Sequence, residues 1–311
     1  MKVETHIVAA GEGIAAAAAL LAGGGLVALP TETVYGLGAD ALDAAACAKI
    51  FEAKDRPLND PLIVHIPSIE WLARLAIASP TARRLAEHFW PGPLTLVLPR
   101  REIVPDLVTA GQETVAVRMS PHPVFRAVLE AFGKPVAAPS ANCFGRISPT
   151  CAAHVFAELG GRIPLILDGG LCAHGIESTI VLVIGDGLHI LRNGPVTAEE
   201  LAQFGPVYGA VAGISAPGGL LSHYAPRTPM RIAEPVPEEN FGLLAWQSAG
   251  VGFARVERLS KTQDLREAAA NLYGAMRRLD ESGLDGIIAE PVPETGLGAA
   301  IMERLRKASA R

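Results

Sequence analysis

The feature that most constrains the fold is an alternation of short apolar segments with amphipathic ones, which runs from residue 1 to about residue 204. The short segments are nearly continuous in Val, Ile, Leu and Ala, as strands covered on both faces tend to be. Strands that alternate with helices in this way predict an α/β layer structure. We expect strands at residues 26–29, 62–65, 94–98, 115–118, 136–138, 165–167 and 179–183.

The composition changes after residue 204. Residues 205–229 are rich in Gly, Pro, Ala and small polar residues without sustained periodicity, which indicates a linker. Beyond them we expect strands at 230–233, 242–246 and 286–289 and helices at 264–281 and 295–307. A chain of 311 residues also exceeds the size at which one core usually keeps growing. The sequence therefore predicts a large domain over residues 1–204, a linker or lid over 205–229, and a small α/β domain over 230–311.

Charge and cysteine content exclude several classes of protein. The formal net charge of -5 argues against broad electrostatic binding to nucleic acid or anionic lipid, so any anion site must be local. The four cysteines contain no Cys-x-x-Cys pair, which favours a reducing cytoplasm over a disulfide framework or a zinc site. The apolar stretch 14–29 is interrupted by three glycines, so we interpret it as a helix and a strand, not as a signal peptide or membrane span.

A first polar cluster, Pro-Thr-Glu-Thr-Val-Tyr-Gly-Leu-Gly, occupies residues 30–38. It follows a predicted strand, and we expect a helix to begin near Ala41. Ligands commonly bind at the carboxyl ends of strands in α/β sheets, and Gly36 and Gly38 would let backbone amides approach a ligand closely. The alternative is a strand end followed by a helix cap, and this string alone does not decide between the two.

A second cluster runs from Lys54 to His65. Lys54 and Arg56 stand two residues apart before Pro57, a spacing that aims both cations to one side of an extended segment. Such a pair suits a polyphosphate, although a lone pair of cations is more often a solvated charged loop. His65 ends an apolar strand, where a buried core histidine is the alternative to a ligand contact.

Three further clusters also lie at predicted strand ends. Arg118 closes the strand 115–118 and should meet an anion or carboxylate there, whether from a ligand or from a structural salt bridge. Residues 137–150 describe a loop of small residues and side-chain donors, in which Ser148 could also cap a helix. Residues 175–181 and 191–195 again place hydroxyls and an arginine at strand ends. Together the clusters favour a site for phosphates and carboxylates.

In this order, the clusters resemble the YrdC family of threonylcarbamoyl-AMP synthases over nearly the whole chain. Ala216-Pro217-Gly218 and His223-Tyr224-Ala225-Pro226 are similar to linker elements of the family's longer form, and residues 296–300 are similar to its C-terminal domain. The resemblance implies an α/β fold with a YrdC-like twisted open mixed sheet, a concave electropositive cavity, and a small C-terminal Rossmann-like α/β domain.

The resemblance also implies an activity. A cytoplasmic nucleotidyltransferase of this family joins ATP, L-threonine and bicarbonate (or CO2) into threonylcarbamoyl-AMP and releases pyrophosphate. Mg2+ is expected with ATP, and no protein ligand for it is assigned. The product would pass to a tRNA threonylcarbamoyl-transfer complex for threonylcarbamoyl-adenosine modification, with at most a weak direct tRNA contact and no membrane. Two alternatives are a carbamoyl-adenylate-forming carbamoyltransferase, whose larger relatives carry zinc-finger domains, and a non-enzymatic RNA-binding module.

Site residues follow from the matching motif positions. The resemblance implies ATP binding by Lys54, Arg56, Asp60, Thr114, Ser140, Asn142, Ser148, Arg192 and Tyr224. It implies L-threonine binding by Thr33, His65, Arg118, the Ala138 backbone and Ser178. Four positions depart from the family's usual residues, namely Asp60, Phe144, Asn193 and Leu220. A carboxylate at position 60 would repel phosphates unless it points away or helps to hold Mg2+.

Overall fold

The computed structural model describes residues 3–211, 213, 217 and 223–310. Within that part of the chain the strands form a sheet of eleven and a sheet of four. The large sheet contains β1 (His6–Ala9), β2 (Val27–Leu29), β3 (Gly36–Asp40), β4 (Ile63–His65), β5 (Leu94–Pro99), β6 (Thr114–Arg118), β7 (Val136–Ala137), β8 (Leu165–Asp168), β9 (Thr179–Ile184), β10 (Gly187–Arg192) and β11 (Val207–Tyr208). The small sheet contains β12 (Met230–Ile232), β13 (Phe241–Ala245), β14 (Arg255–Arg258) and β15 (Gly286–Ala289).

Helices connect the strands of both sheets. Those of the large domain are α1 (Ala10–Ala22), α2 (Ala44–Lys54), α3 (Glu70–Leu75), α4 (Pro80–Phe89), α5 (Asp106–Thr109), α6 (Pro123–Phe132), α7 (Ala152–Leu159) and α8 (Ala198–Leu201). Those of the small domain are α9 (Leu265–Asp280) and α10 (Leu297–Ser309). None of the helices in the described residues is long and apolar enough to cross a bilayer.

The large sheet is mixed, with the strand order β1-β8-β2-β3-β7-β4-β6-β5-β9-β10-β11. Strands β4 and β6 are parallel, so His65 and Arg118 lie side by side at their carboxyl ends. Strand β5 runs antiparallel to β6, which places Thr95 beside Arg118. Strand β10 runs antiparallel to β9, so its last residue, Arg192, lies opposite Ile180 near the start of β9. This topology brings the polar clusters of distant segments to one end of the sheet.

One local prediction is wrong. The sequence predicts a helix near Ala41, but residues 36–40 continue as β3, antiparallel to β2, and the next helix begins at Ala44. A Cβ at Gly38 would lie 2.9 Å from Val136 Cγ1, so the glycine is needed for close packing between strands. Helix α2 begins later because the Asp43 carboxylate accepts hydrogen bonds from two amides of its first turn.

The small domain has a parallel sheet in the order β12-β15-β13-β14, in which helix α9 connects β14 to β15. Its core is continuous with the large domain, since Ile147 and Ile176 belong to the same buried cluster as Leu272 and Met302. Helix α9 buries apolar residues at helical spacing, among them Leu272 and Met276. It also buries two polar residues, Tyr273 and Arg277. Both of these point toward the large domain, which a periodicity argument does not anticipate.

The segment between the domains is described only in part. Val207 pairs with Leu188, so the first residues of the predicted linker form an edge strand of the large sheet. The predicted linker elements Ala216, Gly218 and Leu220 lie outside the described residues. Farther along, Ala225 forms a bridge with Arg146 of the large domain.

Candidate active site

A narrow cavity of about 40 Å³ lies at the end of the large sheet where the polar clusters meet. Eight of the predicted site residues line it, namely Thr33, Arg56, His65, Arg118, Ala138, Ser140, Arg192 and Tyr224. Five others contact that lining from behind or adjoin it, namely Lys54, Asp60, Asn142, Ser148 and Ser178.

Thr114, another predicted site residue, lies at the opposite end of strand β6 from Arg118. It is the first residue of β6 and pairs with Pro99, whereas Arg118 is the last residue of the same strand. The side-chain alternation of a strand places Thr114 on the same face of the sheet as Ala116 and Arg118. Thr114 does not belong to the described lining of the cavity.

The geometry of Lys54 and Arg56 differs from the sequence-based expectation. Lys54 is the last residue of α2, and Asp55 has a φ of 53°, so the two cations do not share an extended segment. The Lys54 ammonium donates to the backbone carbonyls of Ser140, at 2.5 Å, and of Asn142. Burial and the neighbouring guanidinium of Arg56 lower the pKa of Lys54 to about 7. The lysine therefore holds the 140–142 loop in place and carries a charge that depends on pH.

Arg56 faces the cavity and is held by its own loop. Its Nη2 lies 2.9 Å from Asp60 Oδ2 and donates to the Pro61 carbonyl at 2.8 Å, and its Nε donates to the Asp60 carbonyl at 3.2 Å. The Asp60 carboxylate is thus directed at Arg56. Burial raises the pKa of Asp60, while Arg56 opposes that change. This pairing gives the acidic residue at position 60 a structural role beside the cavity.

Arg192 also lines the cavity. Its Nε and Nη2 donate to the Ser178 carbonyl at 3.0 and 2.9 Å, and Nη2 also donates to the Ser178 hydroxyl at 3.0 Å. That hydroxyl lies 2.7 Å from Thr95 Oγ1. The remaining Nη1 donates to the Pro217 carbonyl of the linker at 3.1 Å. Arg192 is therefore anchored by neutral acceptors and keeps its full positive charge.

A further cationic group, Arg118, lines the cavity. Its Nη2 pairs with Glu32 Oε1, and the Ser120 hydroxyl donates to Glu32 Oε2 at 2.5 Å. Among the described residues the buried Arg118 Nε has no hydrogen-bond partner. Arg118 thus forms a structural salt bridge with Glu32 and also has a donor, Nε, without a partner among the described residues.

Neutral polar groups flank Arg118. His65 is buried, and burial together with the Arg118 charge keeps the pKa of His65 well below its usual range, so the ring is neutral. Its Nδ1 has no partner within the described part of the chain. Thr33 Oγ1 lies 2.9 Å from Thr31 Oγ1. The Ala138 amide donates to the Ile63 carbonyl at 2.9 Å, so a backbone contact from Ala138 to a ligand would use its carbonyl oxygen.

Two more polar residues of the 140–150 loop support the site. The Asn142 amide group donates to the carbonyls of Cys143 and Arg146 at 2.8 and 2.9 Å. Ser148 does not cap a helix, because α7 begins at Ala152 after Cys151. The Ser148 hydroxyl instead donates to Glu177 Oε1 at 2.5 Å.

Sequence analysis assigned no site role to Glu177 or His223, both of which line the cavity. Burial by itself would raise the pKa of Glu177, but the guanidinium groups of Arg304 and Arg192 outweigh burial and hold it at about 2. Burial lowers the pKa of His223 to about 3, so this ring is neutral. The sequence feature that could have identified Glu177 is its place beside Ser178 in a polar strand-end cluster. No local pattern connects it with its partner Arg304, which is 127 residues away.

Comparisons with known proteins agree with this arrangement. Residues 19–194 match the Sua5/YciO/YrdC family model, described as Telomere recombination, and residues 196–310 match the model of the threonylcarbamoyl-AMP synthase C-terminal domain. Threonylcarbamoyl-AMP synthase of Bacillus subtilis is 44% identical over 95% of this chain and 92% of its own length. This chain belongs to the threonylcarbamoyl-AMP synthase family.

Solved structures from this family have the same fold. A double-alanine variant of Pyrococcus abyssi Sua5 matches with a TM-score of 0.91 and 38% identity, covering 98% of this chain and 96% of that chain. P. abyssi Sua5 complexed with L-threonine matches with a TM-score of 0.88 and 40% identity, covering 99% of this chain and 98% of that chain. The family resemblance and the α/β fold predicted from the sequence are confirmed.

Proposed function

We propose that this protein forms threonylcarbamoyl-AMP and pyrophosphate from ATP, L-threonine and bicarbonate or CO2. The observation that carries the proposal is one cavity lined by three buried arginines, of which we assign Arg56 and Arg192 to a nucleotide end and Arg118 to an amino-acid end. A triphosphate needs several positive charges, whereas an amino-acid carboxylate needs one planar donor pair. The nucleotide end offers two arginines to the triphosphate, and the amino-acid end offers one arginine to the carboxylate.

The nucleotide end would bind phosphates mainly through Arg56, Arg192 and Lys54. Backbone carbonyls orient the side chains of Arg192 and Lys54. Ser140, Asn142 and Ser148 place further polar groups around these cations, and Tyr224 brings a buried hydroxyl with no partner among the described residues. Such preorganised donors stabilise negative charge that develops on a transferring phosphoryl group.

The amino-acid end would bind L-threonine beside Arg118. The unpaired Nε–H of Arg118 can donate a hydrogen bond to the substrate carboxylate, and Glu32 and Ser120 fix the orientation of the guanidinium. The neutral His65 and the Thr33 hydroxyl adjoin this position and can contact the amine and side-chain hydroxyl. A threonine methyl distinguishes the substrate from serine by only about 1–3 kcal/mol, so slow use of serine is expected.

The reaction would proceed by positioning. The threonine amine combines with bicarbonate or CO2 to give a carbamate, whose oxygen attacks the α-phosphorus of ATP and expels pyrophosphate. Arg56, Arg192 and Lys54 then offset the charge on the leaving group. His223, Tyr224 and Pro217 of the linker cover the cavity, which would limit hydrolysis of the labile carbamate and mixed anhydride.

Mg2+ would enter with ATP. The described residues contain no group of three His, Cys, Asp or Glu side chains that could hold a metal ion, and the Asp60 carboxylate is paired with Arg56. The ion would reduce the negative charge of the phosphates. The product would leave in the cytoplasm and pass to a tRNA threonylcarbamoyl-transfer complex, with at most a weak direct contact between this chain and tRNA.

The decisive experiment measures pyrophosphate release with ATP, L-threonine and bicarbonate, omitting each substrate in turn. Release that requires all three, with threonylcarbamoyl-AMP identified by mass spectrometry, supports the proposal. Turnover with carbamoyl phosphate in place of threonine and bicarbonate would indicate a carbamoyltransferase. Salt-dependent RNA binding without nucleotide turnover would indicate an RNA-binding module. Either of the last two outcomes contradicts the proposal.

A further inference from the structure

A buried ion pair joins the two domains directly behind the cavity. Arg304, on α10, donates its Nε to Glu177 Oε2 at 2.8 Å. The Tyr273 hydroxyl, on α9, lies 3.1 and 2.9 Å from the two Glu177 oxygens. The side chain of Arg304 is 0% exposed and that of Glu177 is 6% exposed. Two residues of the small domain therefore surround one carboxylate of the large domain.

That carboxylate also belongs to the proposed nucleotide site. Glu177 lines the cavity together with Arg56 and Arg192, and it accepts the Ser148 hydroxyl at 2.5 Å. A buried carboxylate would repel a triphosphate unless another cation cancels its charge. Arg304 supplies the larger share of this charge from outside the cavity and Arg192 the smaller, so less of the Arg192 charge is taken from phosphates.

The same two residues contact the linker residue that covers the cavity. The Arg304 guanidinium lies 5.2 Å from the centre of the Tyr224 ring, and the Tyr273 ring stacks on it at 5.8 Å. Tyr224 is 1% exposed, and its hydroxyl has no partner in the described ranges of the chain. The position of Tyr224 at the cavity wall is thus fixed from the small domain.

We propose that Arg304 and Tyr273 are positioning residues for the nucleotide, through which the small domain neutralises Glu177 and holds Tyr224 at the cavity wall. This inference rests on the proposed binding of ATP in the cavity. It assigns to the small domain a part in substrate affinity that goes beyond holding the two domains together.

Another interdomain ion pair provides the contrast. Asp280, on the same helix as Tyr273, lies 3.2 Å from Arg146 Nη2 of the large domain. Neither Asp280 nor Arg146 lines the cavity. An Asp280→Asn variant therefore weakens the interface without changing the charge at the nucleotide site, and serves as the matched control.

The first experiment compares steady-state kinetics of Arg304→Met and Asp280→Asn, after the wild-type protein has shown turnover with ATP, L-threonine and bicarbonate. For Arg304→Met we expect KM for ATP to rise about tenfold or more, since Glu177 loses its main counter-charge, while KM for L-threonine changes less than about threefold. For Asp280→Asn we expect both KM values to stay within about twofold of wild type, with a lower melting temperature.

A second variant separates charge neutralisation from simple packing. Glu177→Gln combined with Arg304→Met removes both charges, so KM for ATP should return to within about threefold of the wild-type value. If Arg304→Met does not fold, this double variant and Tyr273→Phe carry the test, the latter with a rise in KM for ATP of about threefold.

Three outcomes would overturn the inference. They are an unchanged KM for ATP in folded Arg304→Met and Tyr273→Phe, equal losses in Asp280→Asn, and a double variant as impaired as Arg304→Met. A wild-type protein that releases no pyrophosphate would instead contradict the proposed function. Fluorescence titration with ATP alone then tests the positioning role by itself: an Arg304→Met affinity equal to wild type rejects it, and one about tenfold weaker supports it.

Discussion

The two domains bury positive charge in different ways. At the cavity of the large domain, Lys54 and Arg192 are held by backbone carbonyls, so their charge is not cancelled. In the small domain, the buried Arg304 and Arg277 meet carboxylates of the large domain. Carbonyl partners orient a cation and leave it able to bind an anion, whereas a carboxylate partner consumes its charge. Arg304 and Arg277 thus act between the domains and do not line the cavity, whereas Arg56, Arg118 and Arg192 line it whether their partners are carboxylates or carbonyls.

The largest expected effect contrasts one arginine of each kind. Arg192→Met should lower the rate of ATP-dependent pyrophosphate release about 10²–10³-fold, because it removes a charged donor to the phosphates. Arg277→Met should retain turnover within about threefold, but should lower the free energy of unfolding by about 3–5 kcal/mol, because it leaves Glu158 buried without its partner. Kinetics and urea denaturation measure the two effects.

Equal loss of turnover in folded Arg192→Met and Arg277→Met would break the comparison. Glu158→Gln with Arg277→Met is the control for unfolding, since it removes the isolated carboxylate charge. That double variant should be more stable than Arg277→Met alone.

A second test measures how closely the two domains pack at Gly175. Gly175 has a φ of 69°, and a Cβ there would lie 2.5 Å from Ala270 Cα of the small domain. Gly175→Ala should lower the free energy of unfolding by about 3 kcal/mol or more, through overpacking added to backbone strain. Gly283 has nearly the same φ, 68°, and no atom within 4 Å of an added Cβ, so Gly283→Ala should cost only about 1 kcal/mol. Equal losses in urea denaturation would show that the domains do not pack closely at Gly175.

A third prediction concerns acid stability at the cavity cover. The pKa of His223 is about 3 in the folded protein and 6.5 ordinarily, so the unfolded chain binds the proton first and stability falls as pH drops below 6.5. Between pH 7 and pH 5 this histidine should account for about 1–2 kcal/mol of lost stability. His223→Gln should reduce that loss in urea denaturation at the two pH values, whereas an unchanged pH dependence would exclude the assigned role of His223.

The smallest effect concerns the cation whose charge depends on pH. At pH 8 Lys54 is mostly neutral in the free protein, because its pKa is about 7, and a bound triphosphate would raise that pKa. ATP binding at pH 8 should therefore take up about 0.5–1 proton that Lys54→Met does not take up. Calorimetry in buffers of different ionisation enthalpy measures this number. No difference between the two proteins would mean that Lys54 does not respond to phosphate charge.

Local sequence was a good guide wherever a single segment decides its own structure. The strand at residues 286–289 was predicted with its observed bounds, and the polar clusters at strand ends did meet at one end of the sheet. Local sequence failed near Ala41, where a helix was predicted, because residues 36–40 form a closely packed strand and the helix begins at Ala44. It failed again at Ser148, whose hydroxyl meets a carboxylate from a distant strand end.

By itself, the sequence determined the α/β class, the family and most of the residues around the cavity, because apolar periodicity and short motifs are properties of neighbouring residues. Only the tertiary structure decided which charges cancel. Glu32 and Arg118 are 86 residues apart, and Glu177 and Arg304 are 127 residues apart. Such pairs form because burial makes an isolated charge unfavourable, and folding selects the partner from distant segments. Whether a buried arginine can bind a substrate is therefore determined by packing between elements.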